Sequence, residues 1–204
     1  NQGFGEYYYC DPDASSACEV LYRHICDGII STECAECLYL GMVHDTGVFK
    51  YPATTETTMS IAGKLISKGV RTQYIIDETF YKVSYNQNKL TGRALLEAKL
   101  HLDGKAISTC VTLDMFKEYN TTKSDTDGIV DKLRVTDGVE VAIFVYQLEE
   151  DLYKYSLRSI EKVDVSKISV AFGGGGHIRA AGFELRGKFE DSLAKILAMV
   201  EEQL

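Results

Sequence analysis

The stretch Val139-Glu140-Val141-Ala142-Ile143-Phe144-Val145-Tyr146 decides the fold class, because β-branched and aromatic residues dominate it. Residues 106–111 and 153–159 have the same strand-like character, and Asp103-Gly104 before the first of them predicts a hairpin turn. Helical spacing follows at 189–202, where an amphipathic helix closes the chain. Strands interleaved with helices predict an α/β domain in the second half of the chain.

The first third of the chain shows helical rather than strand periodicity. After a short aromatic strand at 7–10, a first helix is predicted to start at Asp11-Pro12 and to stop at Gly28, because Asp caps helices and Pro suits their first position. A second helix is predicted to open at Ser31-Thr32 and to run into His44-Asp45.

A third helix is predicted between Thr54-Thr55 and Gly69, with Met59 and Ile66 on its buried side. The segment that follows mixes strand and helix patterns. We expect it to be a mostly helical connector, so the boundary between the two halves falls between residues 70 and 95.

Composition excludes several classes of protein. The 204 residues carry 30 acidic and 22 basic side chains, a net charge of −8, which argues against binding to duplex DNA but leaves a small anionic ligand open. No run approaches the ~18 consecutive apolar residues of a membrane span, and no export signal is visible. We therefore expect a cytoplasmic protein with reduced cysteines.

Cys34 and Cys37 form a C-x-x-C pair inside a helical pattern. A zinc or redox role is one interpretation of this pair. No second pair or His partner sits at zinc-finger spacing, which favours buried structural thiols.

The densest chemical pattern is Gly173-Gly174-Gly175-Gly176-His177-Ile178-Arg179-Ala180-Ala181-Gly182-Phe183. A glycine loop presents bare main-chain N–H groups that can surround an anion. His177 and Arg179 add side-chain donors, and the small residues after them let a ligand approach the backbone. A flexible glycine linker is the alternative, although the apolar residues on either side disfavour it.

Two further segments carry candidate site residues. His44-Asp45-Thr46-Gly47 places a carboxylate after a helix end, where it is a plausible ligand of a hard metal ion, although Asp-Thr-Gly is also a common turn. In Ser156-Leu157-Arg158-Ser159, Arg158 is suited to clamp a phosphate with two hydrogen bonds, although strand arginines are often only solvated.

Taken together and in this order, these motifs resemble the DHH phosphoesterases, in the branch of oligoribonucleases and adenosine-bisphosphate (pAp) phosphatases related to RecJ. The resemblance covers essentially the whole chain and implies an α/β fold in three parts. These are the C-terminal part of a DHH catalytic domain at 1–70, a helical connector at 71–93, and a smaller mixed-sheet substrate-binding domain at 94–204.

The resemblance also implies the chemistry. Two manganese ions activate water and stabilise charge on the phosphoryl group. Asp45 is implied as a metal ligand and, with His177, as a catalytic residue. Arg158, His177 and the main chain of Gly174, Gly175 and Gly176 are implied to hold the substrate. Arg179, at a variable position of the motif, is a further substrate-binding candidate. The implied substrates are short RNA or pAp. Assembly as a homodimer is one alternative for the protein.

One departure from the family pattern is large. The upstream His-x-x-x-Asp-x-Asp motif, a further Asp and the Asp-His-His motif do not occur in these 204 residues, so we expect about a hundred residues before Asn1. One Asp cannot hold two divalent ions, so we expect little or no hydrolysis by this chain alone. The alternatives are a cyclic- or linear-dinucleotide phosphodiesterase and a nucleotide-binding module without chemistry. Contact with tRNA is a weaker alternative.

Overall fold

The computed structural model describes residues 9–24 and 29–204. The chain divides into two compact units, one up to Lys82 and one from Val83 to Leu204. Each unit has its own hydrophobic core and is described by itself.

The described part of the first unit is helical. Its elements are α1 (Ala17–His24), α2 (Thr32–Asp45), α3 (Glu56–Ser67), α4 (Thr72–Ile76) and a π-helical turn (Asp77–Tyr81). The side chains of Ser31 and Thr55 cap α2 and α3, as the sequence predicted. The core residues share complete or near-complete burial and include Ala35, Leu38, Tyr39, Met42, Ile61, Ala62 and Leu65.

Three details of the first unit were predicted wrongly. The first helix begins at Ala17 rather than at Asp11-Pro12, because the Ser16 hydroxyl accepts the Glu19 amide and provides the cap. Met59 and Ile66 are exposed, since Ile61 and Leu65 supply the buried stripe of α3. Of the predicted strand at 7–10, Tyr9 and Cys10 have no regular structure and the rest lies outside the described residues, as does Gly28.

The second unit is an α/β domain, as predicted. Its helices are α5 (Tyr85–Leu96), α6 (Leu113–Tyr119), α7 (Ile129–Arg134), α8 (Val165–Ala171) and α9 (Phe189–Glu201), with a 3₁₀ turn at Lys123–Thr126. Its strands are β1 (Lys99–His101), β2 (Ala106–Val111), β3 (Val141–Glu149), β4 (Leu152–Ser159), β5 (Gly175–His177) and β6 (Ala180–Arg186).

The six strands form one mixed sheet in the order β1-β2-β3-β4-β6-β5. Only β2 and β3 are parallel, and β1 reaches β2 through the predicted turn at Asp103-Gly104. The sheet ends on one side at β5, a strand of three residues with a single strand neighbour.

The two faces of this sheet are covered differently. One face packs along its length against α8 and α9, through a core that includes Val141, Leu157 and Phe183. On the other face, α5, α6 and α7 cover β2 and β3 through a second core that includes Phe144, and α7 also lies against β4. The β4–β6–β5 half of this second face lies beyond that core, and we call it the open half-face.

The segment after α3 is largely helical, as expected, although α5 begins seven residues before the predicted Gly92. Among the described residues, no helix is long and apolar enough to cross a membrane.

Candidate functional site

The candidate site in the second unit is built on one row of residues across three strands. Arg158 of β4 lies opposite Ala180 of β6, and Ala180 lies opposite His177 of β5. Directly opposed residues of a sheet point to the same face, and neighbouring strands lie about 4.8 Å apart. Arg158 and His177 therefore flank a methyl group at a backbone separation of about 10 Å. They are nineteen positions apart in the sequence, and the sheet brings them together.

The next row provides a flat floor. Ser156, Gly182 and Gly175 lie opposite one another on the same open half-face. None of them has a side chain larger than a hydroxymethyl group, and each is half-buried. A ligand that contacts Arg158 and His177 can therefore lie close to the main chain of β5 and β6.

The glycine run is an edge strand and not the open anion-wrapping loop expected from the sequence. Gly174 and Gly176 are glycines for packing reasons, because a Cβ at either position would collide with β6. At Gly176 the Cβ would lie 2.5 Å from the Ala180 carbonyl oxygen, and φ is +142°. Packing against β6 therefore explains the glycines at these two positions without a bound anion.

Gly175 is different from its neighbours. A Cβ there would meet nothing within 4 Å, and φ lies outside the left-handed region. Neither packing nor backbone conformation requires a glycine at this position, which lies on the floor of the open half-face. The absent side chain leaves room for a molecule from outside the fold.

The two arginines of the motif have different surroundings. Arg158 is half-buried, its Nη1 donates to the carbonyl of Leu157 at 3.0 Å, and it forms no ion pair with a described residue. Arg179 instead donates from Nη1 to the Val163 carbonyl at 2.9 Å, behind the β5–β6 turn. Arg158 thus carries an uncompensated charge on the open half-face, whereas Arg179 holds a loop.

That loop is fixed by a carboxylate. Glu140 accepts hydrogen bonds from the amides of Glu161, Lys162 and Val163 at 3.0, 2.6 and 3.0 Å. Burial alone would raise the pKa of Glu140, but these amides and the Arg179 charge outweigh it and lower the pKa. Glu140 and Arg179 therefore both hold the loop at residues 161–163, which follows β4.

In the first unit, Asp45 is the last residue of α2 and its side chain is exposed. Three consecutive residues shortly after Asp45 have left-handed backbone conformations. Their φ values are 56° for Gly47, 58° for Val48 and 62° for Phe49. Val48 is β-branched, so this conformation costs of order 1–3 kcal/mol. The buried Thr46 holds the turn, because its Oγ1 donates to the Met42 carbonyl and accepts from the Phe49 amide.

His44 is exposed and forms a hydrogen bond and an aromatic contact with the π-helical turn. Its Nε2 lies 2.9 Å from the Thr79 hydroxyl on the π-helical turn, and its ring meets Phe80 edge to face at 5.7 Å. The π-helical turn therefore fixes the last turn of α2, which carries Asp45. Single π-turns of this kind are frequent at functional sites.

Sequence reasoning missed one buried carboxylate in the first unit. Glu19 is 1% exposed and accepts hydrogen bonds from the hydroxyls of Ser15 and Thr58 and from the Arg23 guanidinium. Burial favours the neutral acid, but the Ser15 and Thr58 hydroxyls and Arg23 prevail and lower the pKa of Glu19. The Ser-x-x-Glu spacing of Ser16 and Glu19 is a capping-box pattern that would have marked this helix start.

Within residues 9–24 and 29–204, no group of three His, Cys, Asp or Glu side chains is placed to hold a metal ion. Asp45 thus has no set of partner ligands in the described structure. Cys34 and Cys37 are both free thiols. Cys37 is exposed, contrary to the expectation of buried thiols, because it lies on the outer side of α2.

A family model for the DHHA1 domain matches residues 103–204, which is half of the chain and includes the whole open half-face. The chain belongs to the DHH phosphoesterase family. The bifunctional oligoribonuclease and PAP phosphatase NrnA of Bacillus subtilis is 30% identical over 203 residues, 97% of this chain and 63% of the relative. The protein of the same name from Thermus thermophilus is 29% identical over 209 residues, all of this chain and 62% of the relative.

Among solved structures, an exopolyphosphatase-related protein of Bacteroides fragilis superposes with a TM-score of 0.90 at 28% identity, over 98% of this chain and 60% of that one. The chain thus spans somewhat less than two thirds of the length of these relatives. The matched DHHA1 domain includes both Arg158 and His177.

Proposed function

We propose that the second unit of this DHH family member binds the phosphate of a short nucleotide on its open half-face. In this proposal Arg158 and His177 donate to the phosphate oxygens from either side of Ala180. The nucleotide lies over Gly175 and Gly182, with their main chain within reach. The ligands are short oligoribonucleotides and pAp, the substrates in the names of the two NrnA relatives.

Gly175 carries this proposal. It is the one position of the glycine run from 174 to 176 at which the protein's own packing leaves the place of a side chain vacant. It lies on the same face as an arginine with no acidic partner in the second unit, all of which is described. An uncompensated planar guanidinium beside a bare backbone suits a multiply charged oxyanion such as a phosphate.

We further propose hydrolysis to nucleoside monophosphates, with manganese as cofactor and Asp45 as one of its ligands, for the protein of the relatives' full length. The described residues do not form a complete cation site. Phosphate binding by Arg158 and His177 needs no metal in this proposal, because the Arg158 charge offsets the anion and the two donors fix its position.

Titration calorimetry of the 204-residue chain with pAp tests the proposal, with and without manganese. We expect binding in both conditions, about 10–100-fold weaker binding for Arg158→Ala, and no binding of adenosine, which lacks phosphate. Arg186→Ala is the matched control, because Arg186 is an exposed arginine already paired with Glu149 and Asp151. Equal affinity of the wild type and Arg158→Ala for pAp would overturn the proposal.

The same titration separates the alternative functions. Comparing a cyclic dinucleotide, pAp and a trinucleotide distinguishes a dinucleotide phosphodiesterase from an oligoribonuclease. Since binding without manganese is expected of the second unit in either case, the nucleotide-binding module is separated by an assay of product: a protein of the relatives' full length that binds pAp and forms no product with manganese is a binding module.

A further inference from the structure

Charged side chains are distributed unevenly along the open half-face. Arg158, Ser156 and Lys154 follow one another on the same side of β4, since side chains alternate between faces. At about 3.3 Å per residue, Lys154 lies about 13 Å from Arg158 along the strand. The half-face thus has a near end at Arg158 and His177 and a far end at Lys154.

The far end is acidic, and the near end is not. Lys154 lies directly opposite Glu184 of β6, and its Nζ is 3.3 Å from the Glu184 Oε1. Beyond this pair, Arg186 binds Glu149 at 2.7 Å and Asp151 at 2.5 Å. Three carboxylates therefore surround two cations at the far end, whereas the row of Arg158, Ala180 and His177 contains no acid.

We infer that this acidic far end limits the length of the nucleotide that the open half-face accepts, with Glu184 as the specificity-determining residue. The inference rests on the proposed function of the half-face. A phosphate held at Arg158 leaves about 13 Å of floor, and a stacked strand advances about 3.4 Å per nucleotide. About four nucleotides fill that length, and the next phosphate meets the carboxylates of Glu184, Glu149 and Asp151.

Two effects of Glu184 act in the same direction. Its charge repels an arriving phosphate, and its ion pair with Lys154 occupies the cation that would otherwise bind that phosphate. Both residues are solvent-accessible, with side-chain exposures of 34% for Lys154 and 52% for Glu184, so the pair itself contributes little to stability. Neutralising Glu184 thus changes the charge of the far end and preserves the fold.

The test measures the affinity of the 204-residue chain for 5′-phosphorylated oligoadenylates of two, three, five and eight nucleotides at low ionic strength. For the wild type we expect affinity to stop rising beyond about four nucleotides. For Glu184→Gln we expect the eight-nucleotide ligand to bind about 10-fold more tightly and the dinucleotide to bind as it does to the wild type. High salt is expected to abolish the difference.

Two control variants identify the cause. Glu190→Gln removes an exposed carboxylate from α9, which packs on the opposite face, and is expected to leave every affinity unchanged. Lys154→Ala combined with Glu184→Gln is expected to cancel much of the gain, because the released ammonium is then absent.

The outcomes are distinguishable. If the wild type binds the eight-nucleotide ligand more tightly than the trinucleotide and Glu184→Gln changes neither affinity, the length limit is wrong and the phosphate site at Arg158 stands. If the dinucleotide fails to bind to the wild type, the proposed function is wrong and the length limit falls with it.

Discussion

Arg158 and His177 occupy one row of the second unit's sheet, with the methyl group of Ala180 directly between them. The row exists because β6 inserts between β4 and β5, so two residues from separate motifs face the same side. In the proposed function, their side chains donate to one phosphate from either side.

Replacing Gly175 by Ala separates a role in binding from a role in folding. We expect Gly175→Ala to leave the melting temperature unchanged or to raise it slightly, since nothing opposes a methyl group there and glycine weakens strands by about 0.5–1 kcal/mol. The same variant is expected to weaken pAp binding at least ~10-fold, because the methyl group occupies the ligand's place. Thermal denaturation and calorimetry measure the two effects.

Gly176→Ala is the matched comparison. Its φ of +142° and the contact with the Ala180 carbonyl predict a loss of about 1–3 kcal/mol in the free energy of unfolding. If Gly175→Ala proved as destabilising as Gly176→Ala and had no separate effect on affinity, Gly175 would be a packing residue only.

The charge of Arg158 is expected to dominate phosphate binding. Arg158→Ala removes charge-assisted hydrogen bonds of about 1.5–3 kcal/mol, which corresponds to about 10–100-fold in the dissociation constant for pAp. Arg158→Lys is expected to recover only part of this, since an ammonium cannot form the bidentate pair. Calorimetry at two salt concentrations would show a weaker salt dependence for the alanine variant.

Arg179→Ala tests whether Arg179 stabilises the fold, in contrast to the binding role proposed for Arg158. Because Arg179 donates to the Val163 carbonyl, we expect a lower melting temperature and an almost unchanged affinity for pAp. A large loss of affinity without loss of stability would place Arg179 in the binding site.

Glu19 is expected to make the first unit sensitive to acid. Its pKa is lower in the folded state than the ordinary value of 4.5, so its stabilising effect is complete above about pH 4.5 and is lost as the pH falls through the folded-state pKa. Glu19→Gln is expected to cost about 1–3 kcal/mol at pH 7 and to flatten the acid side of the stability profile. Urea titrations from pH 3 to pH 7 measure this, with the exposed Glu201→Gln as control.

Asp45 is expected to be irrelevant to phosphate binding in the absence of metal. Asp45→Asn should bind pAp with the wild-type affinity when manganese is removed, because the proposed donors are Arg158 and His177 and a carboxylate does not donate to a phosphate. We also expect the 204-residue chain to release no phosphate from pAp with manganese, since the described residues lack a cation site. Rapid release of phosphate by the wild-type chain would contradict this.

Among the strands of the second unit, β2, β3 and β4 were predictable because β-branched and aromatic residues are frequent in them, as in Val141–Glu149. The edge strand Gly175–His177 was not, since glycines have no strand propensity and pair here only because β6 is present. A tertiary contact that local sequence does not contain thus turned a predicted loop into a strand.

The candidate site shows the same limit. The residue types of Arg158, His177 and the glycines pointed to an anion, and this inference used only their chemistry. The sequence did not separate Gly175 from Gly174 and Gly176, because the difference lies in what stands opposite each of them in the sheet. The acids at 149, 151 and 184 were unremarkable in the sequence and become a cluster only through the pairing of β4 with β6.

The two faces of the β4–β6–β5 half of the sheet have different roles. Alternate residues such as Leu157, Ala181 and Phe183 maintain the fold, while Ser156 and Glu184 face outward. Gly182 also lies on the outward face, but a Cβ there would lie 2.6 Å from the Tyr155 carbonyl oxygen. Mutations can therefore accumulate at the outward positions other than Gly182 at small thermodynamic cost. A scaffold of this kind lets a lineage of enzymes exchange one substrate for another during evolution without first rebuilding its interior.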